Sequence, residues 1–151
     1  MSDRPSFQTI YMQLAWLMST RATCARTNSV GLIMRCGAAV VSADFRQVLA
    51  VGYNGNAAGL PNGCDTTEPG ACGCIHAEEN AVIACREARA TPKVFFATHL
   101  PCVACAKRII QLGGVEAVYY DQPYRITKGL DVLAAVGIPS HRIEGGPNYG
   151  T

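Results

Sequence analysis

The chain has 151 residues, 49% hydrophobic and 16% charged, a balance that excludes intrinsic disorder and fits a single domain burying about 68–70% of its unfolded surface. Lys and Arg total 13 against 11 Asp and Glu, a net charge of +2 with no basic cluster, which argues against nucleic-acid binding and for small-molecule chemistry. No apolar run reaches the roughly 18 residues of a membrane span, and Met1–Pro5 carries no secretory pattern, so the reading predicts a cytoplasmic protein without a membrane partner.

In chain order, Phe7, Ile10, Tyr11, Leu14, Leu17 and Met18 recur at helical spacing and predict an amphipathic helix over 6–23. Residues 37–42 and 47–53 read as strands of a hairpin across the polar turn 43–46. Residues 54–74 form a long loop punctuated by Asn54-Gly55-Asn56, Pro61-Asn62-Gly63 and Pro69-Gly70; a loop of that length inside one domain is functional or fastened. Helix formers predict a helix over 76–90. Lys93–Thr98 reads as a strand, 102–112 as a helix ended by Gly113-Gly114, Val115–Tyr120 as a strand, 126–136 as a helix and 140–143 as a short strand, with a frayed tail over 145–151. This order predicts a three-layer α/β/α domain on one mixed sheet.

Eight cysteines stand in the chain, six of them between residues 64 and 105. In a reduced compartment, short cysteine spacings point to metal or redox chemistry. Cys102 and Cys105 are three residues apart at the start of a predicted helix, where free N–H groups and the helix dipole favour thiolates. His76 opens another helix, with Glu78 two residues on. One His and two Cys make the three-ligand set of a catalytic zinc that keeps a fourth position open, and Glu78 is placed as a base and not a ligand. A lone Cys-x-x-Cys also serves structural zinc or a redox pair; here Pro101-Cys102-x-x-Cys105 coincides with His76-x-Glu78, the zinc nucleobase deaminase signature. That chemistry is hydrolytic, with Glu78 carrying the proton from water to the ring and on to the departing ammonia.

The match extends past the zinc motif. Arg21-Ala22-Thr23-Cys24, Gly52-Tyr53-Asn54-Gly55, His76 to Ala81, Thr98 to Cys102 and Tyr119-Tyr120…Tyr124-Arg125 resemble the deoxycytidylate (dCMP) deaminases of the cytidine and deoxycytidylate deaminase superfamily over residues 7–138. The resemblance implies a cytidine-deaminase-like fold with a central mixed five-stranded sheet and conversion of dCMP to dUMP and ammonia. It implies that Asn54 and Ala77 contact the substrate, with Arg125, Arg86 and Arg26 available by residue type for its phosphate. It further implies a homo-oligomer, hexamer or dimer, and a response to the effectors dCTP and dTTP. Residues 27–34 read as an insertion relative to the family, and Ala84 and Glu87 stand where some relatives carry aromatic or basic residues. Some relatives hold a structural zinc at positions matching Cys24 and Cys64; Cys72 and Cys74 complete four ligands that would fasten the long loop. Cys36 and Cys85 are left to pack. A modified dCMP, a free cytidine nucleoside or guanine stay open as substrates. A tRNA adenosine deaminase is disfavoured by the missing basic stripe, and an inactive zinc-binding regulatory subunit by the presence of Glu78.

Overall fold

The computed structural model describes residues 3–28, 30–124 and 126–144; Arg125 and the tail over 145–151 lie outside the described residues. The elements are α1 (Phe7–Ser19), β1 (Gly37–Ser42), β2 (Val48–Tyr53), α2 (Ala77–Ala84), β3 (Lys93–His99), α3 (Val103–Leu112), β4 (Val115–Gln122), α4 (Lys128–Ala135) and β5 (Ser140–Arg142). They build one five-stranded sheet in the order β2-β1-β3-β4-β5. β1 pairs antiparallel with β2 and β3, whereas β3, β4 and β5 run parallel. The sheet is therefore mixed, as expected, with α3 and α4 as the crossovers between its parallel strands.

Alternation along the strands supplies both faces. Ala38 and Val40 of β1, with Phe95 and Ala97 of β3, pack under Ala77 and Ala81 of α2, Ala106 and Ile109 of α3 and Leu133 of α4. Their neighbours Ala39, Val41, Val94 and Phe96 pack against Tyr11, Met12, Ala15 and Trp16 of α1. Because both faces are covered, β1 and β3 read as continuous apolar runs without polar alternation. Two glycines let the layers close: a Cβ at Gly37 would stand 1.9 Å from the Ala15 carbonyl oxygen, and one at Gly52 would stand 2.3 Å from that of Ala77.

Several boundaries differ from expectation. α1 ends at Ser19, four residues early, because the Thr20 amide and hydroxyl both turn back to the Leu17 carbonyl and the chain then bonds Asn54 through Thr23. α2 ends at Ala84 and not at residue 90. Cys85 turns extended, and the Ala88 and Thr91 carbonyls are taken at 2.7 and 2.8 Å by the ammonium of the fully buried Lys93, which also holds the Gly113 carbonyl at 2.9 Å. β4 continues to Gln122, two residues beyond expectation, and α4 spans 128–135. In the β1–β2 turn, Phe45 is not a polar turn residue: its ring stacks on Phe7 and Tyr11, and its carbonyl accepts from the Tyr11 hydroxyl. The described residues of the 27–34 insertion form a small arm, with Thr27 bridged to Ile33 and the Asn28 side chain accepting from the amides of Val30 and Leu32. Among the described residues no helix is long and apolar enough to cross a membrane.

Candidate active site

The N-termini of α2 and α3 meet at the C-terminal ends of β3 and β4, the edge where open α/β sheets take ligands. His76 is the N-cap of α2 and Cys102 the N-cap of α3. The Cys102 sulfur accepts the Cys105 amide at 3.4 Å, the role a serine oxygen plays at other helix starts. Glu79 accepts the His76 amide at 3.3 Å and pairs with Arg108 of α3 at 3.0 Å, tying the start of α2 to the middle of α3.

His76 Nδ1 lies 3.3 Å from Cys105 Sγ and 3.7 Å from Cys102 Sγ. Metal bonds of about 2.1 Å to nitrogen and 2.3 Å to sulfur, meeting at a tetrahedral angle, put N and S about 3.6 Å apart. The three groups thus already have the spacing of a tetrahedral metal site, and they are the donor types that zinc takes. Hydrogen bonds from Cys105 and from His76 bring the Cys102 thiol down to about 3. The hydrogen bond with Cys102, and then burial, push the Cys105 thiol up, and bonding to Cys102 raises His76. Two thiols and an imidazole in mutual contact share protons that a divalent cation would displace. Glu78, 6% exposed, stands beside this cluster with its pKa raised by burial.

His76, Glu78 and Cys102 line a cavity of about 890 Å³, together with Arg26, Asn54, Ala77, His99, Gln122 and Tyr124, with Cys105 buried behind them. Asn54 reaches it from the end of β2. Its carbonyl oxygen accepts the Cys36 amide at 2.8 Å and its NH2 donates to the Met34 carbonyl at 2.7 Å, which leaves one lone pair and one N–H of the amide. Asn80 of α2 donates to the Tyr53 carbonyl at 2.8 Å, locking the Gly-Tyr-Asn-Gly segment to the helix that carries Glu78. Arg26 lines the cavity from the base of the inserted arm. Arg86 does not: it is exposed beyond the C-terminal end of α2, whose eight residues span about 12 Å. The sequence reading placed Arg86 on a longer helix. Arg125 lies outside the described residues. His99, Gln122 and Tyr124 were not singled out from sequence as pocket residues; their position at the ends of parallel strands was the available signal.

A second cluster sits against the same wall. Cys24, Cys64, Cys72 and Cys74 bring their sulfurs within 4.8 Å of one another, with pairs at 3.0, 3.4 and 3.8 Å. Zinc–sulfur bonds of about 2.3 Å in a tetrahedron give sulfur separations of about 3.8 Å, so the tight Cys72-x-Cys74 spacing is accommodated by the fold. Burial raises the thiol of Cys72, and hydrogen bonds from Cys64, the Cys74 backbone and Cys24 outweigh it, bringing Cys72 down to about 7. Cys36 and Cys85 pack against the main core as expected, and Cys36 also reaches the cavity.

Residues 5–122 match the family described as the cytidine and deoxycytidylate deaminase zinc-binding region, and the chain belongs to that family. Its relatives include several deoxycytidylate deaminases and ComE operon protein 2 of Bacillus subtilis. The deoxycytidylate deaminase of Mycobacterium phage D29 is 30% identical over 134 residues, covering 78% of this chain and 96% of the relative. That of Schizosaccharomyces pombe is 31% identical over 148 residues, 89% of this chain, but the chain spans under half of it, 43%. Among solved structures, the dCMP deaminase of cyanophage S-TIM5 in complex with dCMP and dUMP is 34% identical with a TM-score of 0.76, over 94% of this chain and 100% of that one. The cytidine-deaminase-like fold expected from the motifs is therefore the fold of this chain, and it is built for zinc.

Proposed function

We propose that this protein deaminates dCMP to dUMP and ammonia. The observation that carries the reading is the convergence of His76, Cys102 and Cys105 at metal-ligand spacing with a buried Glu78 on one nucleotide-sized cavity; the similarity to a phage dCMP deaminase crystallised with dCMP and dUMP names the substrate. His76, Cys102 and Cys105 would hold a zinc ion, which supplies Lewis acidity and a water acidified toward neutrality. Glu78 takes the proton of the attacking water, delivers it to the ring nitrogen as oxygen bonds to the amine-bearing carbon, and passes a proton to the nitrogen as that C–N bond breaks. Burial suits Glu78 to this, because raising its pKa makes the carboxylate a better proton acceptor than an exposed one. The Ala77 amide, one of the free N–H groups at the start of α2, and the unused amide valences of Asn54 face the substrate. Arg26 is the described cavity arginine for the phosphate.

Purified, metal-loaded protein offered dCMP, deoxycytidine, 5-substituted dCMP, guanine and tRNA tests this reading. The expected result is ammonia release with kcat/KM for dCMP at least about tenfold above deoxycytidine, the worth of one charge-assisted contact. Equal turnover of the two would remove phosphate recognition, and release from guanine alone would replace the substrate.

The same reading places a second zinc on Cys24, Cys64, Cys72 and Cys74, where it fastens the 54–74 loop against the catalytic wall. Metal analysis is expected to find two zinc ions per chain, falling to one in Cys64→Ser with a lower melting temperature; one zinc in the unmutated protein would end this part of the account. Homo-oligomeric assembly, for which the exposed Ile83 and Val136 offer apolar surface, response to dCTP and dTTP, and a cytoplasmic setting that keeps all eight cysteines reduced belong to the same proposal.

A further inference from the structure

His99 is the last residue of β3 and takes no part in the chemistry assigned to Glu78. Its Nδ1 lies 2.8 Å from the Thr98 hydroxyl. That hydroxyl is fully buried and its oxygen already accepts the Gly37 amide at 3.0 Å. The hydroxyl has one proton to give, and Nδ1 is the acceptor beside it. Giving the buried hydroxyl proton an acceptor assigns Nδ1 as the unprotonated ring nitrogen and puts the ring proton on Nε2. One side of the ring packs on Trp16, with centroids 5.6 Å apart, and Trp16 is itself fixed by a 2.8 Å bond from its indole nitrogen to the buried Asp121. Burial, against a smaller opposing effect of Asp121, brings the imidazole down to about 4, so the ring is neutral at physiological pH.

The ring lines the same cavity as Glu78, Asn54 and Cys102, and among the described residues Nε2 has no hydrogen-bond partner. The atom is open to the cavity and not enclosed by protein, so its N–H is available to an acceptor that enters there. We infer that His99 is a substrate-binding residue: its Nε2–H, oriented by the Gly37–Thr98 relay and clamped by Trp16, donates to an acceptor oxygen of the bound nucleotide. The inference rests on the reading of this cavity as a nucleotide site. It assigns His99 to affinity and not to proton transfer, since a neutral imidazole whose second nitrogen is already engaged has no proton to exchange near neutral pH.

The test uses the full chain loaded with zinc. dUMP and deoxyuridine, which undergo no turnover, are titrated by calorimetry into the unmutated protein, His99→Phe and His99→Gln. His99→Phe is expected to weaken dUMP binding about tenfold and to raise the KM for dCMP by a similar factor, with a much smaller change in kcat and unaltered zinc content. His99→Gln keeps an N–H donor at the end of the side chain and is expected to recover most of the affinity. Equal loss for dUMP and deoxyuridine puts the acceptor on the base or sugar; loss confined to dUMP puts it on the phosphate. Unchanged affinity in His99→Phe, or a His99→Gln variant as weak as His99→Phe, overturns the inference. Nitrogen NMR of the unmutated protein covers the case of a variant that fails to fold: the Nε2–H signal of His99 should move on adding dUMP, and a signal that stays put while dUMP binds overturns it as well. If the unmutated protein binds no dUMP at all, the nucleotide-site reading fails and this inference falls with it.

Discussion

Glu78→Gln is expected to lower kcat by about 10³-fold while leaving the zinc content and the fold intact. Glutamine keeps the shape of the side chain but cannot carry a proton, and positioned acid–base groups contribute about 10²–10⁴-fold. Glu78 is asked to move protons at two sites, the ring nitrogen and the leaving amine, so the middle of that range or above is the fitting value. The metal should stay because its proposed donors are His76, Cys102 and Cys105, none of which changes. Removing one buried carboxylate charge beside two thiolates should, if anything, ease their ionisation, since Glu78 is among the charges that raise Cys105. Steady-state kinetics paired with metal analysis decides the point. A variant with full activity would remove Glu78 from the reaction; a variant that loses its zinc would make it a ligand or a support for one.

Lys93→Met is expected to destabilise the fold by about 3 kcal/mol or more, the second large effect. The lysine is fully buried, and its ammonium holds the carbonyls of Ala88, Thr91 and Gly113 at 2.7–2.9 Å. Methionine fills much of the volume but leaves these acceptors without a donor, at about 1–3 kcal/mol for each one that stays dry. Lys93 joins the end of the 85–92 turn to the C-terminus of α3, so the loss should appear as a lower urea midpoint for the whole domain. A midpoint unchanged within error would mean that water replaces the ammonium at all three carbonyls.

The same lysine explains where sequence reasoning stopped. Arg86-Glu87-Ala88-Arg89 continues the helix-forming composition of α2 without a break, so nothing local ends the helix at Ala84. The ending is imposed by a contact with a residue on the next strand, and tertiary contacts override propensity. The misplaced Arg86 follows from that error. The candidate metal cluster was legible because its signal is local: His76-x-Glu78 and Pro101-Cys102-x-x-Cys105 each begin a helix, and helix starts bring N-cap side chains to one edge of the sheet. The four remaining cysteines were legible as a set by elimination and family likeness, whereas their convergence depends on the path of the 54–74 loop, closed at its base by the Gly55–Ile75 bridge. His99 was hidden because its meaning is assembled from Trp16, Gly37 and Asp121, residues on three other elements. The layered sheet was readable, since β1 and β3 are apolar on both faces and Gly113-Gly114 ends the α3 crossover.

The account turns on one chemical event at this cavity, and direct product analysis tests it. Zinc-loaded protein incubated with dCMP should yield dUMP and ammonia in equal amounts, resolved by chromatography and an ammonia assay, with the initial rate about 10³-fold lower in Glu78→Gln and the yield lost in zinc-stripped protein. A folded, fully metal-loaded preparation that leaves dCMP unchanged would contradict the account.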